Sequence, residues 1–152
     1  MKGSQNGFTL AELVFVAGIL SFTLVGMMKL YIYTSTQAEM AGNVTIAVSQ
    51  AQNKLEEIRN HAYDMIATDY GSGGTPGNTF DLSILTGKGA VYIDSSNSEL
   101  LVLEVVVSWM DKYNRIIGED ANLNGVLDGG EDANGNGKLD SPVRLMSMIT
   151  ER

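Results

Sequence analysis

Apolar and polar positions follow three rhythms along this chain. From Phe8 to Met28 the run is almost unbroken: 21 residues carry one formal charge, Glu12, at the fifth place. As a helix rising about 1.5 Å per residue, such a run covers roughly 30 Å, one hydrocarbon thickness. Lys2 lies on its N-terminal side, so the positive-inside bias leaves the N-terminus in the cytoplasm and sends the remainder across. After Lys29 the pattern turns amphipathic. Val44, Val48, Ala51, Leu55, Ile58, Ala62 and Met65 recur at steps of four and three, the stripe of one helix face, with Gln50, Asn53, Lys54, Glu57, Asn60 and Asp64 on the rest of its surface. Gly42 costs about 1 kcal/mol against Ala without ending the pattern, so one helix is predicted over residues 8–67. Its first part (8–28) suits lipid, and its amphipathic continuation (29–67) suits packing on a domain. With no proline in the span, a break there would have to fall at Gly18 or Gly26.

The third rhythm is that of strands. Residues 69–79 form a Gly-rich surface loop, and no Lys-Ser or Lys-Thr follows it as a phosphate cradle would require. Ala90-Val91-Tyr92-Ile93 reads as a short strand and residues 100–109 as a long one. Alternation puts Leu101, Leu103, Val105, Val107 and Trp109 on one face, with Val102, Glu104, Val106 and Ser108 on the other. Asp111-Lys112-Tyr113-Asn114 is a turn, Arg115-Ile116-Ile117 starts a returning strand, and residues 143–149 make a last apolar run. The fold class predicted is α+β: a long helix whose stripe is covered by a small antiparallel sheet, in a domain of residues 68–152.

Composition narrows the chemistry. Ten Lys and Arg stand against 18 Asp and Glu, a formal net charge of -8, which disfavours nucleic acid as a partner. No cysteine is present, so disulfides and thiolate metal sites are excluded, and bound metal is one substitute for the missing staple. His61 stands alone on the helix, with no nucleophile–base arrangement around it, and no enzyme is expected.

The chemistry gathers in an insertion at residues 118–142. With Asp120 as position 1, Asn122 falls at 3, Asn124 at 5, Gly125 at 6, the Val126 carbonyl at 7, Asp128 at 9 and Glu131 at 12. That is the oxygen-ligand spacing of an EF-hand calcium loop, with apolar Leu127 at 8. A second copy starts at once with Asp132, Asn134, Asn136, Gly137, the Lys138 carbonyl and Asp140, but its position 12 is Val143. The missing carboxylate has to be replaced by water or by a shared group. Calcium takes six to eight hard oxygens, whereas magnesium rarely uses all-protein cages, so Ca²⁺ is the cofactor expected. Flanking helices are absent, and the loops resemble the tandem Asp-Asn-Gly repeats of extracellular proteins. Extracellular modules bind calcium at about 10⁻⁴–10⁻³ M, so such a site fills outside the cell and empties in the cytoplasm.

The N-terminus carries a family resemblance. A secretory signal has a 7–15-residue apolar core followed by its cleavage site; here the apolar run is longer and the small polar stretch comes first. Gly7-Phe8-Thr9-Leu10-Ala11-Glu12 and the long apolar run resemble type IV pilins and type II secretion pseudopilins. Lys54-Leu55-Glu56-Glu57-Ile58-Arg59 and Val105-Val106-Val107-Ser108-Trp109 resemble the helix end and closing strands of minor pilins and pseudopilins. The resemblance implies a leader of residues 1–7, cut by prepilin peptidase after Gly7, with Phe8 as the N-methylated mature N-terminus. It implies Glu12 as an assembly residue, paired with the free amine of Phe8 on its own or a neighbouring subunit. Membrane lipid, the inner-membrane assembly platform and other pilin or pseudopilin subunits are the partners implied. So is a single-pass inner-membrane precursor, its C-terminal domain outside, that assembles into a periplasmic or extracellular filament. The absence of a span-exit proline departs from many pilins, and the lack of a terminal cysteine pair together with the short sheet favours a minor pilin or pseudopilin. A second reading is a membrane-anchored, extracytoplasmic calcium-binding module that does not polymerise.

Overall fold

The structure, a computed structural model, describes residues 7–97 and 99–151; residues 1–6 of the expected leader lie outside it. Helices α1 (Leu10–Arg59) and α2 (Tyr63–Asp69) precede strands β1 (Thr79–Asp81), β2 (Gly87–Asn97), β3 (Leu100–Met110), β4 (Ile116–Ile117) and β5 (Val143–Thr150). Contacts divide the chain into two units, and the division falls within α1, after Glu39.

In the first unit the predicted apolar run is helical and bare. Phe8, Leu10, Phe15, Phe22 and Leu24 are all exposed, and the most apolar window has a mean hydropathy of 2.1 with none of it buried. The helix is long and apolar enough to cross a membrane. Two of its hydroxyls bond back to the helix: Ser21 Oγ donates to the Ala17 carbonyl at 2.8 Å and Thr23 Oγ1 to that of Leu20 at 2.9 Å. Gly18 and Gly26 pass without a break.

In the second unit the helix packs on the sheet as the alternation predicts. Ala47, Ala51, Leu55 and Ile58 share a core with Leu101, Leu103, Val105, Val107 and Trp109 of β3 and with Val143 of β5. The predicted single helix over 8–67 is corrected at its end, because α1 stops at Arg59 and Ala62 is extended (φ -65°, ψ 129°) before α2 begins. The bend buries Ile66 and Tyr70 in place of the smaller Ala62 and the Met65 side chain, both of which stay exposed. Larger apolar area wins over continuity of the stripe. His61 closes the corner: its Nε2 lies 2.7 Å from Asp69 Oδ2 and its ring meets Tyr70 edge-on. Val44, at the other end of the predicted stripe, is also exposed.

The sheet is antiparallel in the order β1-β2-β3-β4, with β5 also on β3. β4 opposes Trp109 and Met110, and β5 opposes residues 100–107, so the two short strands lie end to end along one edge of β3. Ile117 faces Trp109 and Val143 faces Val107. The insertion therefore leaves and rejoins a single returning strand. Gly118 takes the place opposite Ser108, where φ is +115° and a Cβ would collide with Ser108 Oγ.

The second face of the sheet is covered as well. Glu104, Val106 and Ser108 are as buried as the core face, because the insertion folds back over them. Leu139 is 2% exposed, its N–H donates to Tyr92 Oη at 2.8 Å, and a Cβ on Gly125 would touch the Thr79 side chain. The layers of this unit are helix, sheet and insertion.

Candidate functional site: two matched loops on the back of the sheet

The insertion consists of two loops built alike. In the first, Asp120 Oδ1 accepts from Asn124 N at 3.0 Å and its Oδ2 from Gly125 N at 2.8 Å. In the second, Asp132 Oδ1 accepts from Asn136 N at 2.9 Å and Oδ2 from Gly137 N at 2.9 Å. Asn122 and Asn124 each donate a side-chain N–H to Asp128 Oδ2, and Asn134 and Asn136 do the same to Asp140 Oδ2. The N–H of Val126 donates to Asn124 Oδ1 and that of Lys138 to Asn136 Oδ1. The backbone turns match as well: Leu123 (φ 56°) stands where the second loop has Gly135 (φ 73°), and Gly125 (φ 79°) where it has Gly137 (φ 76°). A left-handed residue at both places lets each loop turn its peptide N–H groups onto its leading aspartate.

The loops also hold one another. Glu131 Oε1 accepts from Ala121 N at 2.8 Å and Oε2 from Asp128 N at 2.9 Å, closing the first loop. In the second loop the corresponding amides, Ala133 N and Asp140 N, donate to Glu119 Oε1 at 3.3 Å and Oε2 at 3.0 Å. Glu119 is the residue that sequence reasoning missed. The signal was present: Glu119-Asp120-Ala121-Asn122 and Glu131-Asp132-Ala133-Asn134 are the same word twelve residues apart.

Two cationic side chains fasten the insertion to the sheet. Lys138 Nζ lies 2.7 Å from Glu104 Oε2 and 5.4 Å from the centre of the Tyr92 ring. The Arg144 guanidinium pairs with Glu104 Oε1 and, at 3.2 Å, with Asp140 Oδ1. Burial pushes the Tyr92 hydroxyl up, and its oxygen accepts from Leu139 N–H. Hydrogen bonds from Asn122 and Asn124 hold the Asp128 carboxyl below the usual carboxylate range.

The donor set fits a hard cation. Each loop offers two Asp, two Asn and one peptide carbonyl (Val126 or Lys138), and the first adds Glu131, with oxygen the only ligand atom. The Asn oxygens each accept one backbone N–H and keep a second lone pair. The basic side chain of the second loop, Lys138, is turned away to Glu104. Among the described residues no group of three or more His, Cys, Asp or Glu side chains is gathered as for a metal ion.

At the other end of the chain, Gly7 and Phe8 precede the helix without regular structure. Thr9 caps it: its carbonyl accepts from Leu13 N at 3.1 Å and its hydroxyl from Glu12 N at 3.3 Å. Glu12 thus sits in the first turn of α1, where the positive end of the helix favours a carboxylate. The cavity at the α1–α2 corner, about 630 Å³, is lined by Arg59, His61, Tyr63, Asp64, Met148 and Glu151 among others; Arg59 pairs with Glu56 at 2.9 Å and His61 Nε2 lies 2.7 Å from Asp69 Oδ2. Comparison of the chain with protein-family models, with curated proteins and with solved structures found no match to any of them.

Proposed function

We propose that this chain is a structural subunit of a type IV pilus or a type II secretion-like pseudopilus, exported across a membrane and stabilised there by calcium. The observation that carries the reading is the architecture joined to the N-terminal word. A bare apolar helix begins just after Gly7-Phe8, and its far end packs on a small antiparallel sheet. Such a helix is at home first in lipid and then among like helices, two apolar surroundings that would cover Phe8 to Tyr33 in turn. Prepilin peptidase would cut after Gly7, and Glu12 would meet the new amine of Phe8. In the insertion, calcium would be held by Asp120, Asn122, Asn124, the Val126 carbonyl, Asp128 and Glu131, and in the second loop by Asp132, Asn134, Asn136, the Lys138 carbonyl and Asp140. It would neutralise carboxylates that otherwise repel, and hold β5 to the sheet.

Intact mass and N-terminal sequencing of protein recovered from its own membranes test the assembly reading. A chain starting at Phe8, heavier by about one methyl group, is the expected result; a chain still starting at Met1 overturns it. Calcium is tested separately, by the melting temperature and by protease cleavage of the insertion with and without the ion. No change in either removes the calcium part.

One observation favours the second reading, a membrane-anchored calcium-binding module that does not polymerise. Glu12 lies in the first turn of α1, where the positive end of its own helix favours the carboxylate without a partner subunit. Glu12→Ala separates the two, since assembly requires the carboxylate and a plain anchor does not.

A further inference from the structure

The calcium motif read along the chain gives one complete loop and one that lacks its twelfth ligand, Val143 being an apolar core residue 1% exposed. The structure supplies the missing group from outside the loop. Shifting Glu131 by twelve residues gives Glu119, and every contact of one has its counterpart in the other. Glu131 binds Ala121 N and Asp128 N, and Glu119 binds Ala133 N and Asp140 N. The backbones match too, Glu131 N donating to Asp128 O at 3.2 Å and Glu119 N to Asp140 O at 2.8 Å. If the unit is taken as the twelve residues that begin with glutamate, each unit lends its glutamate to the loop of the other. Such reciprocal contacts are those of a twofold pair.

We infer that Glu119 is the twelfth ligand of the second loop, and that the insertion therefore takes two calcium ions which load as a coupled pair. This rests on the calcium reading above and extends it. Glu119 is covalently next to Asp120, the aspartate that leads the first loop and is 1% exposed. Glu131 is next to Asp132, the leading aspartate of the second. An ion that orders the first loop also fixes the backbone from which Glu119 reaches Ala133 N and Asp140 N. An ion in the second loop fixes Asp132 and, with it, Glu131. The ordering cost is met at the first ion, so the second binds more tightly, which is positive cooperativity.

The test is calcium binding to the full chain in detergent micelles, with bound ions counted by equilibrium dialysis and elemental mass spectrometry. Far-UV circular dichroism of each variant accompanies the count. Two ions per wild-type chain are expected, with a Hill coefficient above 1. In Glu119→Gln the second ion weakens by roughly tenfold or more and cooperativity disappears, the scale expected for a lost ligand. Glu99→Gln, an exposed acid outside the insertion, keeps both ions. Should Glu119→Gln fail to fold, Glu119→Asp, which keeps the charge and shortens the reach, is expected to show the same selective weakening. Two ions bound by Glu119→Gln as tightly as by wild type would overturn the inference and leave the calcium reading intact. So would a wild-type chain that binds one ion, unaffected by the change. No calcium bound by wild type at millimolar concentration removes the calcium reading itself.

Discussion

Glu104 is the carboxylate on which the insertion hangs, and its surroundings make an asymmetric prediction. It lies in the central strand at 2% exposure, with Lys138 at 2.7 Å and Arg144 on its other oxygen. At an effective dielectric of about 20, a unit pair at the Lys138 distance attracts by roughly 6 kcal/mol, while desolvating the carboxylate costs several kcal/mol. The clasp is thus a near balance, and what matters is which side of it is removed. Lys138 and Arg144 are 40% and 41% exposed, so without Glu104 both can turn to water. Glu104→Met, of similar volume and set opposite Tyr92 on the adjacent strand, should cost no more than about 1 kcal/mol. Lys138→Met together with Arg144→Met leaves a buried carboxylate with neither cation, and should cost about 3–5 kcal/mol. For a domain of this size that is a fall in Tm of roughly 12–20 °C. Each single cation variant should fall between. The assay is thermal and urea unfolding of the full chain in detergent, at neutral pH and fixed calcium. The reasoning is refuted if Glu104→Met destabilises as much as the double cation variant, because the loss would then be one of contacts rather than of a stranded charge.

Two further predictions are smaller in scope. Gly118→Ala should destabilise by about 2 kcal/mol or more, since a Cβ there collides with Ser108 Oγ and φ is +115°, whereas Gly129→Ala, with nothing within 4 Å, should stay within about 0.5 kcal/mol; equilibrium unfolding of both decides it. Burial raises the Asp111 pKa, but the Arg115 amide and guanidinium and the Tyr113 amide outweigh it and hold the carboxyl below its usual range. A depressed pKa gives stability that is full above the unfolded value near pH 4 and lost as pH falls through the folded value. The stability gap between wild type and Asp111→Asn should therefore be widest at neutral pH and close in acid below about pH 4; a gap independent of pH would contradict it.

Local pattern carried the parts of the fold whose burial it decides alone. Leu101 to Trp109 alternate into the core as their spacing predicts, and Ala51, Leu55 and Ile58 meet them, because a period-two face and a period-3.6 face each have one way to be buried. The pattern failed where a choice depended on what lay across the gap. Whether α1 ran on to Met65 or bent to bury Ile66 and Tyr70 turned on the space beneath the sheet, which no window of sequence contains. β1 was invisible for the same reason: three residues, Thr79–Asp81, are a strand only because residues 88–90 lie opposite them.

At the candidate site the outcome runs the other way. The first loop was legible residue by residue, because a motif that folds on itself needs only spacing. Its twin is incomplete when read downstream, where position 12 falls on Val143, a residue that belongs to the hydrophobic core. A returning strand interrupted opposite Ser108 brings residues 118 and 142 back to nearly one place, and with that closure a glutamate before the first loop becomes a neighbour of the second. The twelve-residue repeat beginning at Glu119 states the same fact in sequence: a unit whose glutamate leads can close only on another unit. Two copies are the smallest number in which each glutamate has a loop to serve. On that argument neither repeat is a spare, and deleting either should abolish order in both.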